Sequence, residues 1–328
     1  MRKWIQSFLF LMGIFLIILV IFNYRYPFIV PASNGWSIGF RAIDDPLQKI
    51  TPSQNNLISH DSLNRITKFQ TRFLADPFLI YENGIYYIFF EHQLEQGPAK
   101  IGLLQSNDGL NYIYKGNVID ENFHLSFPQI FKYGKNYYIL PESAAINQVI
   151  LYKAVNFPFE WKVSDTLIKN VKLKDPAILL SDTLNLITGI DDNWNQQVFK
   201  ADSLFGNWRR DKAFRSKKGN EIRPGGSFFS VGKEWYLPFQ NNQEGYGTGV
   251  SLYKLKKNKF EKIISRQLYK SESIEWFGRG MHHLNVNNLN EEYYLVYDGD
   301  EIKPGKKNLT WISSIKYNLY DLHNFVFR

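Results

Sequence analysis

Five carboxylates, Asp76, Glu91, Glu142, Asp175 and Asp298, occupy matching places in this chain, each opening or closing a segment of sixteen residues. Carboxylates brought together repel one another, and each loses solvation on burial, so a cluster drives neighbouring pKa values apart. One carboxyl is then held protonated and another ionised, the pairing that acid–base cleavage of a glycosidic bond requires. The same oxygens with a histidine nearby would alternatively hold Ca²⁺, partly through water. For Asp76 and Asp175 taken singly the plain alternative is an Asp-Pro turn opener whose carboxylate binds its own backbone. Five acids in one register argue against that explanation for the set.

The elements that must position them are repeated. Five windows stack without gaps: Asp76 to Glu91, Phe127 to Glu142, Asp175 to Ile190, Gly225 to Gln240 and His283 to Asp298. Each is a β-branched or aromatic run, a polar turn (ENG, YGKN, SDT, VGKE, NLNE) and a second run, the pattern of a β-hairpin. The first four are followed by a further apolar strand, a turn and an aromatic, at Tyr112, Trp161, Trp208 and Phe260. The starts at 76, 127, 175, 225 and 283 lie 51, 48, 50 and 58 residues apart, a spacing that suits four short strands and their loops. The expected fold is therefore all-β, a five-bladed β-propeller. Gly35 to Ala75 is too short for a blade and is expected to donate a closing strand to the last one, whose third strand is assigned to Trp311–Tyr317 after a Lys-rich loop.

The first strand of each propeller blade lines the axis, and the two ends of a hairpin lie side by side. Ten residues should then converge at one mouth of the channel: Asp76, Phe127, Asp175, Gly225 and His283 from the window starts, with Glu91, Glu142, Ile190, Gln240 and Asp298 from their ends. Of the adjacent pair His282 and His283, which alternate across a strand, the register favours His283 for the axis. Arg223 and Arg279 each precede a window, where a guanidinium could grip a carboxylate or phosphate or neutralise the acidic ring. Trp194, Trp276, Phe277 and Tyr246 fall near loops and are either sugar platforms or sheet-packing residues. The substrate-binding set expected is Glu91, Arg223, Gln240, His283 and Asp298.

Trp4 to Phe22 is an apolar run of 19 residues preceded by Arg2 and Lys3, long enough to cross a bilayer as a helix. It reads as an uncleaved anchor over residues 1–25, with the propeller over 26–328; the only small-residue cleavage site, Val30-Pro31-Ala32, lies far beyond the run. The basic N-terminus should stay cytoplasmic, placing the propeller on the extracytoplasmic side. The net charge of +8 comes from short surface-like lysine runs with no helix-turn-helix or finger pattern, which argues against a nucleic-acid partner. With no cysteine there is neither a disulfide nor a thiolate metal site.

Asp76-Pro77 opening blade one, Asp175-Pro176 opening blade three and Gly280 to His283 opening blade five resemble the five-bladed glycosidase superfamily that includes family 43 arabinanases and xylosidases. FLADPFLIY, HLSFPQIF, YYILPES, LYKAVNFPFEW, DSLFGNW and IRPGGSFF are similar to the N-terminal domain of glucosamine inositolphosphorylceramide transferases and its stand-alone bacterial relatives. The family 43 resemblance implies Asp76 as general base and Asp175 as the residue that tunes pKa and orients. It implies a Glu opening blade four as general acid, but Gly225 stands there, leaving Glu142, Glu91 or a displaced Glu221 as proton donor. The catalytic set expected is Asp76, Asp175 and Glu142. The expected function is a glycoside hydrolase-like or glycosyl-transferring enzyme acting on a glycan or glycolipid, needing no cofactor unless the axial Ca²⁺ is present. The alternative is a non-catalytic module of envelope polysaccharide assembly that binds a glycan or lipid-glycan.

Overall fold

The computed structural model describes residues 2–268, 273–289 and 292–326. An N-terminal helix, α1 (Arg2–Arg25), precedes five four-stranded antiparallel sheets. Blade one comprises Thr71–Glu82, Ile85–Leu94, Lys100–Ser106 and Ile113–Ile119. Blade two comprises Ser126–Tyr133, Asn136–Glu142, Gln148–Asn156 and Glu160–Lys169. Blade three comprises Lys174–Leu180, Asn185–Ile190, Gln196–Ala201 and Arg209–Arg210, and blade four Phe229–Val231, Glu234–Gln240, Val250–Lys256 and Lys259–Ile264. Blade five joins the two ends of the chain: Leu284–Leu289 pairs with Glu292–Leu309, which pairs with Ile29–Ile43, which pairs in turn with Ile58–Ser59. A short helix, α2 (His60–Ile66), follows that last strand.

The turns of the first, second and fourth hairpins sit where the sequence supplies left-handed residues, Gly134 and Gly232 in the second and fourth. Asn83 (φ 53°) and Gly84 (φ 81°) make the tip of the first hairpin with the twist that adjacent antiparallel strands need. Asn290 and Glu291 of the fifth turn lie outside the described residues. Alternate side chains fill the gaps between blades. Leu140, Leu151, Ile178 and Ile187 pack between blades two and three. Leu252, Leu284, Leu295 and Tyr297 do so between four and five, and Leu74, Ile88, Ile38 and Val296 between one and five. Around the axis the first strands are stitched by side chains: Gln129 exchanges two hydrogen bonds with Ile178, at 2.9 Å each. Asn285 accepts from Leu79 N–H and donates to Ser227 Oγ.

Two expectations for blade five are corrected. Trp311–Tyr317 is no strand but the start of a third helix, α3 (Trp311–Val326), because the apolar residues Ile312, Ile315, Leu319 and Leu322 continue at helical spacing beyond the seven-residue window. The slot assigned to it is filled by Ile29–Ile43, in line with the expected closing strand. Nor is the lysine-rich segment a loop: Lys303, Lys306 and Lys307 belong to the long strand that runs to Leu309, and Lys307 pairs with Pro31.

Candidate functional site

The openings of blades one, two and three are built by the same backbone device. Asp76, Phe127 and Asp175, all followed by proline, hold φ near +50° (49°, 49° and 46°), and at each the ladder to the second strand slips. A left-handed residue is unfavourable for a side chain bearing a Cβ, and it persists where surrounding contacts over-determine it. Here those contacts link blades. Phe127 N–H donates to Asp76 Oδ2 at 3.2 Å, Asp76 N–H to Asp298 Oδ2 at 3.3 Å and Asp175 N–H to Glu142 Oε2 at 2.9 Å. The kink that breaks the ladder therefore frees an N–H for the next carboxylate around the ring.

The predicted hairpin ends do meet. Ala75 pairs with Glu91, Ser126 with Glu142 and Lys174 with Ile190, while Asp298 N–H donates to His283 carbonyl oxygen. Asp76, Glu91, Glu142, Asp175, Gln240, His283 and Asp298 are all buried at this end of the axis. Arg223 joins them, its Nε 2.5 Å and Nη2 3.0 Å from the Asp175 carboxylate and its Nη2 3.5 Å from Glu142. Gln240 Nε2 donates to Asp175 Oδ2 at 2.6 Å.

Their protonation states are driven apart. Burial, with the charge of Asp175 beside it, pushes Glu142 up to about 8. Burial also raises Asp76 to about 7, against the pull of His282, and lifts Glu91 well above the usual carboxylate range. Asp175 moves the other way: burial opposes ionisation, but the Arg223 guanidinium outweighs it. Asp298 is likewise held ionised against burial by His282, whose Nδ1 lies 2.6 Å from Oδ2. His282 rises to about 9 although burial resists, because Asp298 and Asp76 face it. The well thus holds protonated and ionised carboxyls together.

The histidine choice was incomplete. His283 is fully buried between Phe78 and Phe127, at ring distances of 4.5 and 5.3 Å, and burial lowers it to about 4. His282 is the one that carries charge in the cluster, its ring 4.2 Å from that of Trp36 and tilted by 36°. Strand alternation suggested that only one could face the axis, but the pair precedes the first strand of the blade, so alternation does not govern it. Also unforeseen was His124, partly exposed, with Nε2 3.5 Å from Glu91.

Other expected residues lie elsewhere. Glu221 accepts from Asn241, Ser251 and Tyr253 and pairs with Lys262, so it is committed to a blade-four network. Trp276 stacks on Tyr297 and donates to the Ser53 and Gln54 carbonyls, and Phe277 is core. Arg279 pairs with Asp300 and donates to the carbonyls of Pro31 and Tyr246, a strap rather than a ligand grip. Trp194 packs on Tyr317 of α3. Only Tyr246 of the four aromatics stands over the well, half-exposed, 5.8 Å above the Arg223 guanidinium. The opening of blade four has no room for an acid: a Cβ at Gly225 would come within 2.7 Å of the His282 carbonyl, and one at Gly226 within 1.9 Å of the Leu284 carbonyl.

Comparison with known proteins gives the well a context. Residues 38–300 match the family described as glucosamine inositolphosphorylceramide transferase 1, N-terminal. The glucosamine inositolphosphorylceramide transferase 1 of Arabidopsis thaliana is 31% identical over 256 residues, 72% of this chain and 33% of that protein. Its counterpart from Oryza sativa subsp. japonica is 28% identical over 298 residues, 83% of this chain and 38% of the other. The chain thus spans little more than a third of the length of these relatives. Among solved structures, a glycosyl hydrolase from Bacteroides ovatus superposes with a TM-score of 0.56 at 12% identity, covering 87% of this chain and 93% of that one, a likeness of fold.

Proposed function

The chain belongs to the glucosamine inositolphosphorylceramide transferase 1 N-terminal family, and on that premise we propose that it is a carbohydrate-active enzyme whose axial well cleaves or transfers a glycosidic bond of an extracytoplasmic glycan or glycolipid. The observation that carries this reading is the opposition of Glu142, raised to about 8, and Asp175, held ionised by the arginine they share. A well that merely neutralised its acids would have no use for a protonated carboxyl beside an ionised one.

In this scheme Glu142 gives its proton to the leaving oxygen as the glycosidic C–O bond breaks. Asp76, whose buried Oδ1 has no hydrogen-bond partner, takes the proton of the attacking water or acceptor hydroxyl as the new C–O bond forms. Asp175, kept ionised by Arg223, faces the positive charge that develops on the sugar ring. Glu91, Gln240, His283 and Asp298 shape and polarise the well, and Tyr246 offers a face for the sugar. Isothermal titration of the full chain in lipid nanodiscs against a panel of oligosaccharides and glycolipids, followed by product analysis, tests the scheme. Binding without any product would favour a recognition module instead, the outcome that the missing blade-four acid would favour.

The reading requires no cation. Asp76, His282 and Asp298 offer ligand atoms within 4.8 Å of one another, so a hard divalent ion fits by size and donor type. It would have to displace the proton that holds His282 charged, and we propose that the imidazolium occupies its place. A Ca²⁺-dependent rise in melting temperature at neutral pH would contradict this. The sidedness follows from Arg2 and Lys3, which would be retained in the cytoplasm while the propeller is exported. Protease protection of the propeller in right-side-out vesicles would overturn that orientation.

A further inference from the structure

The C-terminal helix α3 has three distinct faces. Ser314 and Asn318 lie against the end of α1: Ser314 Oγ donates to the Tyr26 carbonyl at 2.6 Å and Asn318 Nδ2 to the Phe22 carbonyl at 3.3 Å. Asp321 extends that seam, pairing with Arg25 at 2.5 Å and accepting from Tyr26 Oη at 2.8 Å. A second face docks on the loops at the mouth. Tyr317 packs on Trp194, Tyr320 Oη donates to the Asn193 carbonyl at 3.1 Å, and Asn324 Nδ2 donates to the Lys218 carbonyl at 2.7 Å. The third face, Ile312, Leu319, Leu322 and Val326, is apolar and more than half exposed, flanked by Trp311 and Phe325.

We propose that this third face is buried in the outer headgroup–acyl boundary of the membrane that α1 crosses, so that α3 is an interfacial helix holding the mouth of the well toward the lipid surface. Three observations converge on lipid as the occupant. First, α1 has the length and composition to cross a membrane and buries no residue against the propeller. At 1.5 Å per residue its 24 residues span about 36 Å, so Phe22 to Arg25 emerge at the boundary of a core about 30 Å thick. Second, α3 is bonded to that emerging turn, which sets its depth at the same level. Third, the charge beside it suits anionic headgroups: a cleft of about 1120 Å³ at the C-terminal end of α3 is lined by six lysine or arginine side chains, Arg210, Arg215 and Lys259 among them, against the two carboxylates of Asp191 and Glu261. Lys303, Lys306 and Lys307, exposed on the strand that leads into α3, add to it.

The same loops carry the active well, since Lys218 and Asn220 lie just ahead of Arg223, and Tyr26 Oη accepts from Asn220 Nδ2 at 3.4 Å. On the carbohydrate reading given above, this orientation serves a saccharide presented on a lipid. The docking itself rests only on α1 crossing the membrane, and it is read without any activity.

The chain has no cysteine, so single variants Ile312→Cys, Leu319→Cys and Leu322→Cys take one nitroxide label each without background. Leu16→Cys in α1 reports the anchor separately, and Lys135→Cys, on the second hairpin turn at the far end of the propeller, reports solvent. The full chain is reconstituted in vesicles of phosphatidylcholine and phosphatidylglycerol, and each label's relaxation by oxygen is compared with that by a water-soluble nickel chelate. Labels at 312, 319 and 322 should show an oxygen-to-nickel ratio several-fold above that at 135, approaching that at 16. Nickel access at 319 and 322 equal to that at 135 would overturn the proposal, leaving the carbohydrate reading intact. Shielding from both agents, with spin–spin broadening that disappears on dilution with unlabelled chain, would assign the face to a second copy and overturn it equally.

Discussion

Glu142 and Asp175 differ in protonation because one guanidinium serves them unequally: Arg223 makes two close contacts with Asp175 and one long contact with Glu142. In the proposed scheme the proton donor and the base have distinct pH requirements. Asp76 must be ionised to act, which places the acid limb of turnover at about 7, and Glu142 must be protonated, which places the alkaline limb at about 8. A narrow bell is expected, and Asp76→Asn should lower turnover by about 10²–10⁴-fold. Replacing Arg223 with Met leaves the Asp175 charge buried without its partner, and a loss of about 3–5 kcal/mol is expected, measurable by denaturant unfolding in detergent. His282 sets the sign of a second effect. Its raised folded-state value, about 9 against 6.5, means that its pair with Asp298 contributes fully below about pH 6.5 and is lost as pH rises through about 9. Glu142 acts in the same direction, since the folded chain keeps a proton that the unfolded chain releases near 4.5. The melting temperature should therefore fall from pH 6.5 to 9, and His282→Asn should flatten the fall.

At the scale of elements, the hairpin register was legible in the sequence because each window sets a polar turn between two apolar runs, with an aromatic pair near the start of the second run in four of the five and left-handed turn residues such as Asn83-Gly84 in the first. That register also located the acids, since paired hairpin ends must meet. What periodicity could not reveal was the left-handed kink at Asp76, Phe127 and Asp175, a bend imposed by contacts between blades rather than by local preference. For the same reason His282 was missed, because it lies ahead of the strand whose alternation was used to place it. Trp311–Tyr317 was misread because seven residues with apolar ends fit a strand as well as a helix; sixteen residues do not. The glycines of blade four test the account of its missing acid. Gly226→Ala must clash with the Leu284 carbonyl and hold a Cβ at φ 155°, costing at least about 1–3 kcal/mol in backbone strain alone. Gly225→Glu should fail to fold rather than add a proton donor, as read by loss of the cooperative thermal transition.

At the scale of the whole molecule, closure of the ring depends on the segment that follows α1. Ile29–Ile43 pairs along thirteen positions with the strand before α3, so blade five exists only when the two ends of the chain come together. This couples the well to α1, because the chain leaves that helix at Arg25 and enters blade five at Ile29. The claim on which the function rests is that the five blades assemble one acid–base pair from Asp76 and Glu142. Its most direct test is product formation by the full chain in nanodiscs on the glycan or glycolipid that binds most tightly, with Asp76→Asn and Glu142→Gln measured beside it. Both variants should keep the ligand affinity and lose turnover, with the alkaline limb absent in what activity remains for Glu142→Gln. Turnover equal to that of the unaltered chain in either variant would contradict the claim.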